Sequence, residues 1–319
     1  MSDRIVIAGA SGFIGTYLAA ALRAEGAVVS TIGRTGDATW GDTDAIRRVI
    51  DGSDLLINMA GKSVNCRYTP ANRAEIMRSR IETTRELSDA VAAAIAPPPL
   101  WLNSSTATIY RHATDRPMTE STGEIGEGFS VGIATAWEKE FFAAELPSTR
   151  RVALRMAIVL GDGSALLPLL RLARFGLGGT QFDGPWFGSA EKRAAGAFHE
   201  YRPTHGRQMF SWVHIDDVLA AIRFLRPHDG IDGVVNLSSP NPLPNSEVMA
   251  TLRSVVGAPF GIPMPRALLE AGTLAIRSET ELVLKSRWVV PERLVDAGFA
   301  FEFASFESAV RDITRKDPA

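Results

Sequence analysis

Three glycines spaced three apart, Gly9, Gly12 and Gly15, follow an apolar run at residues 5–8 and open the apolar-periodic stretch 17–24. This order predicts a strand that passes through a tight turn into a helix, with the helix N–H groups and the positive end of its dipole facing whatever lies over the turn. Gly9 permits the turn, Gly12 lets backbone approach a pyrophosphate, and Gly15 lets the helix pack close against the strand. The spacing is GxxGxxG, not GxGxxG, and a glycine-rich turn alone would read as an ordinary strand-to-helix junction. A second apolar strand at residues 28–32 follows, and with it the segment reads as a dinucleotide cradle.

The remaining chain is that of an enzyme-sized protein of 319 residues, 45% hydrophobic and 22% charged, with a formal net charge of −2. This balance lacks the basic excess that binding to a phosphate backbone needs, so no nucleic-acid partner is expected. Nor does any apolar run approach the roughly 20 residues that span a bilayer, so no membrane partner is expected. The first residues lead straight into the first strand, which makes the cytoplasm the expected compartment. Cys66 is the single cysteine, which excludes an intrachain disulfide and a thiolate metal cluster, and it reads as an inert thiol. No His, Asp, Glu or Cys spacing suggests a metal site.

Short apolar runs alternate with helical stretches, the pattern of a parallel sheet covered on both faces. Strands are expected at 4–8, 28–32, 55–59, 100–104, 151–156 and 234–237, with helices at 12–25, 44–50, 70–94, 132–146 and 216–225. The triple proline 97–99 ends the long helix before its following strand. From Leu160 onward glycine and aromatic residues, then a polar stretch, replace this rhythm, and helices are expected at 246–256, 266–278 and 306–314. The expected fold is α/β: a Rossmann-like, doubly wound parallel sheet in residues 1–160, to which 211–237 return. A smaller, C-terminal substrate lobe would comprise 161–210 and 238–319.

The end of the second strand speaks to the cofactor. A carboxylate there would hold a ribose 2′-hydroxyl and select NAD, whereas this chain has Gly33 followed by Arg34, a partner for the 2′-phosphate of NADP. NADP therefore fits better than NAD, with a solvated surface arginine as the alternative for Arg34. The segment Asn58-Met59-Ala60-Gly61 supplies an amide and small residues where backbone would lie beside the cofactor, though it also suits a plain turn.

Several further motifs occur in order: Arg78-Ser79-Arg80-Ile81-Glu82-Thr83-Thr84, Ala136-Trp137-Glu138, Leu154-Arg155 before Val159-Leu160-Gly161, Gly176-Leu177-Gly178-Gly179, Ser211-Trp212-Val213-His214-Ile215-Asp216-Asp217, and Val235-Asn236-Leu237 before Pro240-Asn241-Pro242. With the glycine triplet they resemble the extended short-chain dehydrogenases/reductases over essentially the whole length, specifically their atypical, epimerase-like 39U subgroup. The segment 284–299, with Pro291, Leu294 and Ala297-Gly298-Phe299, resembles the small domain of unknown function that closes members of that subgroup. The resemblance implies an NADP-binding fold in which Gly9, Ser11, Gly12, Phe13, Ile14, Gly15, Arg34, Asn58, Ala60, Gly61 and Arg155 hold the cofactor. It also suggests a homodimer through the helices at 70–94 and 132–146.

Members of the wider family work with a Tyr-x-x-x-Lys pair, whose spacing puts lysine and tyrosine on one helix face so that the ammonium lowers the phenol pKa. A Ser or Thr hydroxyl then bonds the developing oxyanion, a position that Thr106 occupies here. The pair itself is missing. The residues four after Tyr17, Tyr68, Tyr110 and Tyr201 are Ala21, Asn72, Thr114 and His205. Aligning Glu138 with the family's glutamate places Ser130 at the tyrosine position and Ala134 at the lysine position. Substitute acids would be Tyr110, close in sequence to Thr106, and His199 or Tyr201 in the charged insertion 191–208, whose arginines would suit a substrate carboxylate or phosphate. A solvated loop is the plainer reading of that insertion. His214 reads as a packed histidine bonded by Asp216 or Asp217.

Three classes of function fit. The first is an NADP-dependent oxidoreductase or epimerase acting on a small polar molecule. The others are a lyase or isomerase that recycles bound NADP within each turnover, and a non-catalytic NADP-binding sensor or scaffold.

Overall fold

The computed structural model describes residues 2–163, 166–198, 200, 202–275 and 277–316. Its main sheet is built from β1 (Arg4–Ala8), β2 (Val28–Gly33), β3 (Ala38–Thr39), β4 (Leu55–Asn58), β5 (Leu100–Thr106) and β6 (Arg150–Met156). After the short strands β7 (Ile158–Leu160), β8 (Met209–Phe210) and β9 (Trp212–His214), the chain returns to the same sheet with β10 (Gly233–Leu237). The order is β10-β6-β5-β4-β1-β2-β3, and every pairing is parallel. The winding direction reverses between β1 and β4, and the crevice at the carboxyl ends of these strands is where doubly wound sheets bind ligands.

Strand periodicity of two sends alternate side chains to opposite faces. Ile5, Ile7, Leu55, Ile57, Leu102 and Leu154 face α1 (Phe13–Ala24) and, from further along the chain, a helix at Ile215–Leu225, through Leu18, Leu22, Val218 and Ile222. Val6, Leu56 and Trp101 face the other way, toward α2 (Thr43–Ile50), α3 (Pro70–Ala92) and α4 (Phe129–Ala143), where Ile46, Leu87, Val91 and Phe141 meet them. Near-continuous apolar strands are what a sheet buried on both faces requires.

The rest of the chain holds α5 (Leu166–Arg174), α6 (Ala190–Ala194), α7 (Ile215–Leu225), β11 (Leu243–Pro244), α8 (Asn245–Val256), α9 (Arg266–Ala275), α10 (Glu281–Leu284), α11 (Glu292–Asp296) and α12 (Phe306–Lys316), of which α7 and α11 pack into the core of the main sheet. A separate cluster brings Leu166 and Leu170 of α5 together with Val248 and Leu252 of α8 and Phe306, Val310 and Ile313 of α12. Two small ribbons, β7 with β9 and β8 with β11, stand apart from the main sheet. Sequence periodicity misplaced α4, expected at 132–146. Gly128, at φ +100°, starts it earlier, and Ala144, in extended backbone, ends it.

Candidate functional site

The turn after β1 is glycine for two different reasons. A Cβ on Gly9, itself at φ +80°, would lie 2.6 Å from the Ala60 nitrogen, and one on Gly15 would lie 2.3 Å from the Gly9 carbonyl oxygen. Both are forced by the protein's own backbone. Gly12 is not: its φ is −81°, and the nearest atom to an added Cβ is the Gly9 oxygen at 3.5 Å. The missing side chain there leaves room on the outer side of the turn, where Ser11 and Phe13 are also exposed. Gly12 caps α1 with no side-chain hydrogen bond, and no acid stands in the first turn, so the leading N–H groups of α1 face outward unclaimed by side chains. This end of the molecule fits a dinucleotide pyrophosphate. A hollow beside it is lined by Ala10, Ser11, Thr31, Gly33, Thr35 and Gly36. Arg34, next to that hollow in sequence, is exposed and makes no hydrogen bond or ion pair among the described residues. Asp37 is occupied, its carboxylate accepting from both the Thr31 nitrogen, at 2.8 Å, and the Thr31 hydroxyl, at 2.9 Å.

Asn58 is fully buried and its amide is spent inside the protein, donating to Asn103 Oδ1 at 2.7 Å and accepting from the Ala60 nitrogen at 3.0 Å. It therefore shapes the turn that presents Ala60 and Gly61 instead of touching a cofactor. Arg155 and Tyr110 also leave the roles expected of them. Arg155 is clamped by Glu138 through two bonds of 2.8 Å and donates to the Tyr110 hydroxyl at 2.9 Å, which in turn donates to Asn236 Oδ1 at 2.9 Å. All of this is buried behind the sheet edge. Burial pushes the Tyr110 phenol up against the pull of the Arg155 charge, while burial of Arg155 is overcome by the Glu138 hydrogen bonds, which hold the guanidinium above its ordinary range. A phenol with both lone pair and proton committed is a strut. His199 and Tyr201 lie outside the described residues. His214 is packed as expected: it caps α7, its Nδ1 accepting from the Asp216 nitrogen at 3.2 Å, and its Nε2 lies 3.4 Å from Asp312, which Lys316 also holds at 2.8 Å.

A cleft of about 190 Å³ opens at the carboxyl ends of β4 and β5. Met59, Ala60 and Gly61 line one side, Thr106 and Thr108 another, and Tyr68, Arg80, Ser130 and Trp137 complete the walls. Thr106 caps the short 3-10 turn Ala107–Ile109, its Oγ accepting from the Thr108 nitrogen at 3.1 Å, which leaves the hydroxyl proton available. Arg80 donates one Nη to the carbonyls of Lys62 and Ile76, at 3.0 and 3.1 Å, and its guanidinium lies 4.9 Å over the Trp137 ring. No carboxylate pairs with it among the described residues, and burial pushes it down to about 10. Ser130, on the first turn of α4, bonds Glu281 Oε2 at 3.1 Å, and Ala134 one turn on is buried among Ala107, Ile109 and Met118. Neither the tyrosine position nor the lysine position of the family pair carries an acid or base.

The C-terminal segment clasps this cleft from below. Glu279 accepts from the Tyr68 nitrogen at 2.9 Å and pairs with Arg67 and Lys192, while Arg67 also donates to the Ser278 carbonyl at 2.8 Å. Lys285 donates to the Thr108 carbonyl at 2.8 Å, Arg287 to the Thr108 hydroxyl at 3.0 Å, and the Ser286 nitrogen to His112 Nδ1 at 3.0 Å. Burial pushes the Lys285 ammonium down to about 8 and the His112 imidazole down to about 4. Sequence reasoning noted Tyr68 only as a tyrosine with no lysine four residues on, and it missed Glu279 and Glu281 and their link to Tyr68. Tyr68 and these glutamates lie more than 200 residues apart in two irregular segments, and no local spacing links them.

Residues 5–128 match the model of the NAD dependent epimerase/dehydratase family, and residues 264–313 match a domain of unknown function, DUF1731. The epimerase family protein SDR39U1 of Bos taurus is 30% identical, with 97% of this chain covering 99% of that protein. The chain belongs to the SDR39U1 epimerase family. YfhF of Bacillus subtilis, another epimerase family protein, is 27% identical over 97% of both chains. The crystal structure of human SDR39U1 (isoform2) with NADPH superposes with a TM-score of 0.82 at 27% identity, over 98% of this chain and 99% of that one. In this SDR39U1-family chain the clasping segment 278–287 lies within the matched DUF1731 region. No helix among the described residues is long and apolar enough to cross a membrane.

Proposed function

We propose that this chain is an NADP(H)-dependent oxidoreductase or epimerase-like enzyme acting on a carbonyl or carbinol carbon of a small polar substrate. The observation that carries this reading is the cleft walled by Gly61, Thr106, Ser130 and Arg80 at the carboxyl edge of β4 and β5, beside the β1–α1 cradle at the switch point of the sheet. The human relative's structure with NADPH supports the choice of cofactor. The α1 N–H groups and the space at Gly12 would hold the pyrophosphate, and Arg34 the 2′-phosphate. A bound nicotinamide supplies or takes up hydride. Thr106 would donate a hydrogen bond from its hydroxyl to the developing oxyanion, and the charge of Arg80, which no carboxylate offsets among the described residues, would favour negative charge developing there.

Titration with NADPH and NADH, followed by intrinsic tryptophan fluorescence with Trp137 in the cleft wall as a reporter, tests the cradle. NADPH absorbance against a panel of small carbonyl compounds then tests the reaction. NADPH-selective binding with net oxidation is expected. Binding without oxidation would move the reading to an internally recycled cofactor or a sensor, and binding of neither nucleotide would overturn it.

A further inference from the structure

We infer that Tyr68 is the proton donor and acceptor of this cleft, doing from the loop between β4 and α3 what a tyrosine at position 130 would do; the inference rests on the oxidoreductase reading above. Among the described residues lining the cleft, only Tyr68 and Arg80 carry a titratable group. The other described phenols are committed elsewhere, Tyr17 to Asp216 and Tyr110 to Asn236 and Arg155. Tyr68 is 7% exposed, and its hydroxyl makes no hydrogen bond of good geometry, with the Ser130 hydroxyl close enough only to favour its ionised form. A buried phenol kept for packing alone ordinarily finds a well-formed partner, so one in a cleft wall with only the loose approach of Ser130 marks a place where a ligand supplies it.

The side chain is held as a reacting group must be held. Its ring meets Phe129 edge-on at 4.9 Å, and its backbone nitrogen is fixed by Glu279. Thr69, the next residue, caps α3 by accepting from the Asn72 nitrogen at 3.2 Å. Ser130 is drawn toward Glu281, and Thr106 lies in another wall of the cleft. In the reduction direction the phenol O–H bond breaks as a new O–H bond forms on the substrate's carbonyl oxygen, whose carbon receives the hydride. The carbonyl becomes an alcohol, NADPH is oxidised to NADP+, and the phenolate regains its proton from solvent. Arg80, whose charge interacts with Tyr68, stands in the same wall and would favour negative charge on the substrate oxygen.

Burial, joined by the Glu281 carboxylate and Cys66 and opposed by Ser130 and Arg287, pushes the phenol up to about 12 in the free protein. It therefore carries its proton at neutral pH, the form a donor needs. A cationic nicotinamide ring beside the oxygen would pull this ionisation down, which gives a test independent of any substrate. Tyrosinate absorbance is titrated in wild type and Tyr68→Phe, each with and without saturating NADP+. The expected result is that NADP+ lowers the midpoint of one tyrosine by about a pH unit or more in wild type and of none in Tyr68→Phe. With any carbonyl compound that oxidises NADPH, Tyr68→Phe is expected to turn over about 100-fold or more slowly. Its NADPH affinity should stay within about twofold of wild type, and its melting temperature should be unchanged or raised because an unpaired hydroxyl is removed. NADP+ bound with no shift in titration, or wild-type turnover by Tyr68→Phe, would overturn the inference while leaving the oxidoreductase reading intact. If neither nucleotide binds, it is that reading which fails.

Discussion

Gly12 and Gly15 lack a side chain for opposite reasons, and substitution separates them. At Gly15 a Cβ meets the Gly9 oxygen at 2.3 Å and the Ala10 Cα at 2.8 Å, so Gly15→Ala must push the helix off the strand, at a cost of about 1–3 kcal/mol of stability. At Gly12 the first contact is at 3.5 Å. Gly12→Ala should therefore unfold within about 0.5 kcal/mol of wild type yet bind NADPH roughly tenfold more weakly, as denaturant curves and fluorescence titration will show. The sequence motif marked both glycines alike, because spacing records where side chains are absent and not what would otherwise meet them. The same limit applies to Arg155. Its motif suggested a cofactor contact, but the side chain turns to Glu138, and both are nearly buried. Arg155→Met leaves that carboxylate buried and unpaired, so it is expected to cost about 3–5 kcal/mol in chemical denaturation. A variant that instead kept its stability and lost NADPH would restore the cofactor role.

Scale matters again where elements meet. The loop that carries Arg67 and Tyr68 has no regular hydrogen-bonding pattern of its own between β4 and Thr69, and the C-terminal segment provides its anchors through Ser278 and Glu279. That docking was not legible from sequence, because the C-terminal segment 278–290 is made of short turns with no period to read. Its contact at His112 gives it an acid limit. Burial holds the imidazole near 4, against an ordinary value of 6.5, with Lys285, Arg287 and Arg111 pushing the same way and Asp183 opposing. Above pH 6.5 both folded and unfolded chains carry the neutral ring, and its acceptance of the Ser286 N–H contributes fully. As pH falls from 6.5 toward 4, the unfolded chain takes up a proton that the folded one refuses, and stability drops by on the order of 2–3 kcal/mol. Urea midpoints measured at pH 7 and pH 4.5 should show this loss in wild type. His112→Gln keeps an acceptor that does not titrate, and its loss should be visibly smaller; an equal loss in both proteins would place the acid-sensitive group elsewhere.

The whole molecule shows which part of a fold a sequence can announce. The six strands expected from apolar runs all lie in the main sheet, because parallel strands buried on both faces must be apolar throughout, and their edges shift by a residue or two. Beyond Leu160 the expected helices at 246–256, 266–278 and 306–314 correspond to α8, α9 and α12, whereas α5 and the ribbons β7–β9 and β8–β11 are too short to show a period. The expected division into lobes also cuts across contacts that tie the chain together. Leu294 of α11 belongs to the core beneath the main sheet, the Asp217 carboxylate on α7 accepts from the nitrogens of Glu302 and Phe303, and Met118 pairs through backbone with Trp288 and Val290. Separating the lobes would expose these groups on both sides, so the chain should melt in one cooperative step. A cofactor that binds only the folded state adds RT ln(1 + [L]/Kd), about 2.7 kcal/mol at a hundredfold excess over Kd. Calorimetry should therefore record a single endotherm that NADPH moves upward by a few degrees without splitting it. Two endotherms, of which NADPH moved only one, would mean that the clasp between the C-terminal segment and the cleft is not part of the cooperative unit, and the anchoring of Tyr68 would then have to come from the loop alone.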